Sequence, residues 1–279
     1  MKAFSPGHIT CFFQPVRDPD ILKTGSKGAG IKLSLGTNVV VEENVHGTNI
    51  TMDGEPSEAH ITRKVIEILA PDRSFDVTIE NQLPVSQGLG MSAAGALAAA
   101  LCISEIAGKS ENDAVKAAHI AEIEGKGGLG DVSALMGEGH IPFRTVAGLP
   151  PNGKVIGTGK KTKITIAVLS GKLETKNVLE NKLKMSMISM AGRIAVEAYQ
   201  KDNSFGSLCS ISREFSKSAG IESREISFAL SMLDEAGMCM LGNSIFTTAP
   251  VDAVNDVLAH AEIYETESTD SVPRIIRKG

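Results

Sequence analysis

Pro84 to Ala94, PVSQGLGMSAA, joins a strand-like run to a long apolar stretch, and its residue types suit the binding of a polyanion. Gly88 and Gly90 permit positive φ and close backbone approach, and a helix starting near Ser92 would aim unpaired N–H groups and its positive dipole end into the loop. A tight strand-to-helix turn needs similar residues, and Ser92 would serve equally as an N-cap. Other phosphate fingerprints are absent: GxxxxGKS/T does not occur, and GSKGAG at Gly25–Gly30 does not fit GxGxxG.

A second constellation spans Ala118–Ala134, AHIAEIEGKGGLGDVSA, where a helix carrying His119, Glu122 and Glu124 runs into a glycine turn that ends at Asp131. Carboxylates on a core-facing helix need a compensating charge, and a divalent cation supplies one. His119 and Glu122 are three apart and share a helix face, whereas Glu124 turns away, so Glu122 is the candidate metal ligand. Asp131 alone reads as the N-cap of the next helix.

These segments need elements to position them. Short apolar or alternating runs at Ile9–Phe13, Ile31–Leu35, Asn38–Val45 and Asn49–Met52 predict strands, with Gly25–Gly30 as a glycine-dense loop between them. Ile61, Val65, Ile66 and Leu69 recur at helical spacing and predict a helix ending before Pro71, followed by a strand over Phe75–Glu80. Ser92–Ala107 reads as a helix buried nearly all round, and Ser110 with Asp113 as a capping pair opening the next one. Asp131–Met136 predicts a short helix, and Ile141–Val146 and Lys163–Leu169 predict strands. Beyond these come helices near Glu180–Gln200, Leu208–Ser218 and Ser223–Glu235, strands at Met238–Leu241 and Ile245–Thr248, a helix from Val251 and a strand near Ile263.

Composition narrows the class of function. With 279 residues, 42% of them hydrophobic and 22% charged, the chain is globular and long enough for two lobes. A net charge of −5 and no Trp leave little for a nucleic-acid surface. Cys11, Cys102, Cys209 and Cys239 have no metal-like spacing and read as free thiols. No apolar leader or membrane-length run is present, so a cytoplasmic protein without a membrane partner is expected. The sequence leaves a homodimer open.

PVSQGLGMSAAGALA resembles the PxxxGLGSSAA motif of the GHMP small-molecule kinases, the superfamily of galactokinase, homoserine kinase, mevalonate kinase and phosphomevalonate kinase. Met91 replaces the first serine, and the second is kept as Ser92. The resemblance implies a two-lobed α+β fold: a ribosomal protein S5 domain 2-like N-terminal lobe over residues 1–160 and a ferredoxin-like C-terminal lobe over residues 161–279. It implies that Pro84, Gly88, Leu89, Gly90, Met91, Ser92 and Ala93 contact ATP, that Ser92 and Glu122 hold Mg²⁺, and that Asp131 is the catalytic carboxylate, which homoserine kinases lack. AFSPGHIT, GSKGAG, EIEGKGGLGDV and GMCMLGNSIF together resemble the archaeal pantoate kinases, a branch that phosphorylates pantoate on the route to coenzyme A. The third glycine motif departs from the family pattern, being reduced to Gly237 and Gly242.

A pantoate carboxylate needs a cation or convergent N–H donors. Arg144, on the strand after the Asp131 helix, is the first candidate, with His119 and Ser26 as further substrate contacts. A mevalonate-type kinase would share this machinery, and a related decarboxylase would share the phosphate loop and the Asp. A non-catalytic metabolite sensor would keep the fold but has no need of both carboxylates.

Overall fold

The computed structural model describes residues 1–169 and 182–277. Its larger sheet has eight strands and is organised by two long ones, β1 (Lys2–Val16) and β2 (Gly25–Asn44), paired antiparallel along nearly their whole lengths. The far half of β2 pairs with β5 (Ser74–Asn81), which also pairs in parallel with β3 (Asn49–Met52), and β3 carries the short edge strand β4 (Glu55–Pro56). The near half of β2 instead meets β6 (Ile141–Val146), bordered by β7 (Lys154–Thr158). Residues Arg274 and Ile275, strand β12, return to β1.

Three helices form a layer on this sheet: α1 (His60–Leu69), α2 (Met91–Ala107) and α3 (Glu111–Glu124). Helix α2 lies against β1 and β2, while α1 and α3 pack on α2. The Ala- and Leu-rich α2 is buried from Met91 to Ser104 except at Ser92 and stops at Gly108 in the left-handed region. Helix α3 opens on the expected capping box, Ser110 with Asp113. The short α4 (Asp131–Met136) then leads into β6.

The second sheet is antiparallel in the order β11 (Glu262–Glu267), β8 (Lys163–Val168), β10 (Ser244–Thr247), β9 (Ala236–Met238), the 4-1-3-2 order of a ferredoxin-like unit. Helices α5 (Lys182–Lys201), α6 (Phe205–Ser218) and α7 (Arg224–Met232) lie between β8 and β9, and α8 (Val251–Val257) between β10 and β11. Glu180, where the sequence places a helix start, lies outside the described residues. Tyr199 of α5 packs edge-on against Phe12 at 5.5 Å and Phe143 at 5.1 Å, so the two halves share one apolar core through β1.

Two expectations are corrected. Gly25–Gly30 is the start of β2, not a loop, because the bulged stretch of β1 presses against it: Gly28 has φ 142°, and any Cβ there would run into the Phe12 carbonyl. Met238–Leu241 is strand only to Met238, and the chain then turns, with the Gly242 N–H donating to the Cys239 carbonyl at 2.9 Å. All four cysteines are free and buried. Among the described residues no helix is long and apolar enough to cross a membrane.

Candidate active site

The glycine loop and the acidic constellation meet in a cavity of 460 Å³ between the two sheets. Gly88, Leu89, Gly90, Met91, Ser92 and Ala93 form one wall of it. Gly90 is the N-cap of α2 at φ 69°, and among the described residues no side chain caps that end, so the first N–H groups of the helix are left for an anion. Only glycine suits the position, since a Cβ would lie 2.7 Å from the His8 carbonyl oxygen. Met91 is buried, its sulfur accepting from the Thr37 hydroxyl at 3.6 Å. Pro84 stands outside the cavity wall.

Ser92 is therefore not a cap. Its hydroxyl donates to Glu122 Oε1 across 2.5 Å, joining the first turn of α2 to α3. Glu122 is only 3% exposed, and burial pushes its carboxyl up to about 7; the Ser92 hydrogen bond opposes this and the charge of Asp131 reinforces it. The sister residue Glu124 faces solvent and pairs with Lys64 at 3.1 Å.

Asp131 opens α4 with Gly130 as its N-cap, so it too does not act as the cap. Its Oδ1 sits 2.7 Å from His8 Nδ1 and 3.3 Å from the Thr10 hydroxyl. Burial alone would raise its pKa, but the His8 hydrogen bond and the nearby Arg144 charge outweigh this and hold it below the usual carboxylate range. Burial lowers His8 by more than Asp131 raises it, so the ring is neutral with its Nδ1–H donated to the carboxylate. Asp131 is thus held at Oδ1 by both His8 and Thr10.

The other oxygen, Oδ2, faces the glycine turn. A Cβ on Gly128 would stand 2.6 Å from Asp131 Oδ2 and 3.1 Å from Glu122 Oε2, so the turn leaves space where these two oxygens converge. The donors that Ser92 and Glu122 offer there are oxygen only, a hydroxyl and a carboxylate, with the Asp131 charge close by. That fits a hard cation such as Mg²⁺, which takes one or two carboxylates and fills its remaining positions with phosphate oxygens and water.

Ser26 lines the cavity; Arg144 is not part of the cavity wall, but its guanidinium and the Ser26 hydroxyl both lie against Gly130, which is. The Arg144 guanidinium is 1% exposed, with Nε 2.7 Å from where a Gly130 Cβ would be. None of its three nitrogens has a hydrogen-bond partner among the described residues. A buried cation without partners is costly, and it marks a place where an anion or polar ligand can be received. His119 lies elsewhere: its Nε2 is 3.1 Å from the Ile21 carbonyl, tying α3 to the β1–β2 connection, and it is not part of the cavity wall.

His8 and Thr10 were not singled out by their residue types. The available signal was two polar residues at i and i+2 in an apolar strand, which places both on one face. The reduced third glycine motif also has a place here. Asn243 N–H donates to Gln87 Oε1 at 3.1 Å and the Ser244 hydroxyl to the Gln87 carbonyl at 2.6 Å, seating the β9–β10 turn on the glycine loop.

A pH dependence follows from Glu122. Its folded pKa lies above the ordinary value of 4.5, so its contribution to stability is complete below that value and is lost as pH rises through about 7. For metal-free protein, the loss relative to Glu122→Gln is expected on the order of 3 kcal/mol between about pH 5 and 8. Melting curves of both proteins across that range check it; parallel curves would place the Glu122 titration elsewhere.

The family model described as GHMP kinases N terminal domain matches residues 60–139, the stretch that carries the glycine loop, Glu122 and Asp131. The chain is 35% identical to the pantoate kinase of Thermococcus kodakarensis, over 88% of this chain and 86% of that protein. It is 31% identical to the pantoate kinase of Methanocaldococcus jannaschii, over 92% and 95% respectively. A solved structure described as a phosphotransferase related to the CoA biosynthesis pathway superposes with a TM-score of 0.87 at 30% identity, covering 99% of this chain and 98% of that one. The chain belongs to the pantoate kinase family of GHMP kinases.

Proposed function

We propose that this protein transfers the γ-phosphoryl group of ATP to the terminal hydroxyl of pantoate, giving 4-phosphopantoate and ADP for coenzyme A biosynthesis. The observation that carries the reading is a buried guanidinium without a hydrogen-bond partner among the described residues, Arg144, which lies against Gly130 and beside an ionised Asp131. A substrate with a carboxylate at one end and a hydroxyl at the other uses both groups, which sets aside sugars such as galactose; the choice of pantoate among hydroxy acids is supported by the likeness to the pantoate kinases.

The loop from Gly88 to Ala93 receives the triphosphate on backbone N–H groups and the α2 dipole. Ser92 and Glu122 would hold Mg²⁺, which supplies charge neutralisation on the phosphate oxygens. Asp131, clamped at Oδ1 by His8 and Thr10, turns Oδ2 to the substrate hydroxyl and orients it toward phosphorus. It takes the proton as the new O–P bond forms and the bond to the leaving ADP oxygen breaks, since a carboxylate is too weak a base to ionise an alcohol beforehand. Arg144 pairs with the substrate carboxylate, and Ser26 is placed to touch the substrate between these two ends. His119 would act only through the loop it anchors.

ADP formation measured with pantoate, mevalonate, homoserine and galactose is the direct test. Turnover is expected with pantoate alone, with phosphate on the terminal oxygen. Robust turnover of mevalonate and none of pantoate would make this a mevalonate-type kinase, and nucleotide binding without turnover of any acceptor would favour a sensor.

A further inference from the structure

The cavity has walls of opposite character. Beside the polar groups just described it is closed by Phe13 of β1 and by Met240 and Leu241 of the β9–β10 turn. A regular strand cannot show both Thr10 and Phe13 to one side, because alternate residues face opposite ways. The pairing of β1 with β2 shifts register between Thr10 and Phe12, and this bulge turns Phe13 into the cavity while Phe12 packs on Tyr199. Met240 is held next to the same strand, its N–H donating to the Thr10 carbonyl at 3.1 Å, and the Thr10 hydroxyl in turn reaches Asp131. The apolar wall is thus adjacent to the carboxylate that faces the reacting hydroxyl.

Pantoate has an unusual feature at that point: the carbon next to the one bearing the reacting hydroxyl carries two methyl groups. A pose that brings the hydroxyl to Asp131 and the carboxylate to Arg144 must lay those methyls against a neighbouring surface. We propose that Phe13, Met240 and Leu241 form the specificity wall for the dimethyl carbon and select against hydroxy acids that lack it. The inference rests on the pantoate reading and extends it to discrimination among acids of the same length and charge.

The test compares kcat/KM for pantoate and for 2,4-dihydroxybutanoate of the same configuration, in wild type and in Phe13→Ala, Met240→Ala and Leu241→Ala. Methyl-sized differences in apolar pockets are worth roughly 10- to 200-fold each, so wild type is expected to favour pantoate by about 100-fold or more. At least one alanine variant should cut that preference by about tenfold. The ratio is taken on one preparation and is independent of how much of a variant is folded. A preference unchanged in all three variants, or a selective rise in the KM for ATP, would overturn the wall and give these side chains to the core or the nucleotide. Wild type that uses both acids equally would overturn it while leaving the pantoate reading intact, and wild type that uses neither acid would remove that reading first.

Discussion

Asp131→Asn is expected to bind nucleotide normally and to lose turnover by about 10² to 10⁴ in kcat. The substitution keeps the shape of the side chain, and its amide oxygen can still accept from His8 Nδ1 and the Thr10 hydroxyl, which hold Oδ1 at 2.7 and 3.3 Å in the native protein. What changes is the other end. An NH₂ group replaces Oδ2, so the substrate hydroxyl meets a donor where it needs an acceptor, and the negative charge that offsets Arg144 disappears. The check is kcat alongside a nucleotide dissociation constant from titration. A variant within threefold of wild type would reduce Asp131 to the first residue of α4.

Arg144→Met addresses the opposite end of the substrate. Methionine keeps much of the apolar stem but removes the fork, leaving the carboxylate of bound pantoate desolvated and unpaired. A charge-assisted hydrogen bond of about 1.5 to 3 kcal/mol corresponds to roughly a 10- to 150-fold rise in KM for pantoate, with KM for ATP little changed. Removing the guanidinium relieves the cost of a buried cation without a hydrogen-bond partner but also takes away the charge that faces Asp131, so the melting temperature of the ligand-free variant is expected to change little. Equal losses toward both substrates would point to damaged packing. An unchanged KM would shift the carboxylate to Lys27 or to backbone N–H groups of Gly25–Gly30.

Legibility in the sequence followed the range of the interactions. Helix α2, the Ser110–Asp113 capping box, α4 and β6 all lie close to their sequence-derived bounds, because composition and capping residues act within a few positions. The choice of Glu122 over Glu124 for the interior likewise rested on helix periodicity, and only Glu122 lies in the cavity. Features joining distant segments were not legible. His8 and Thr10 acquire their place from Asp131, more than a hundred residues on, and Phe13 from a bulge that alternation does not reveal. Gly25–Gly30 misled for the same reason: its glycines answer to the crowding of β1 rather than to any local turn.

The seating of the β9–β10 turn on Gln87 bears on how the molecule assembles. Those hydrogen bonds connect positions 156 and 157 residues apart. Contacts of such separation close a large loop, at an entropic cost that local contacts do not carry. The geometry of the anion cradle therefore depends on both halves of the chain. A fragment ending near residue 160 would carry the whole PVSQGLGMSAA segment and still lack the strut that sets its form.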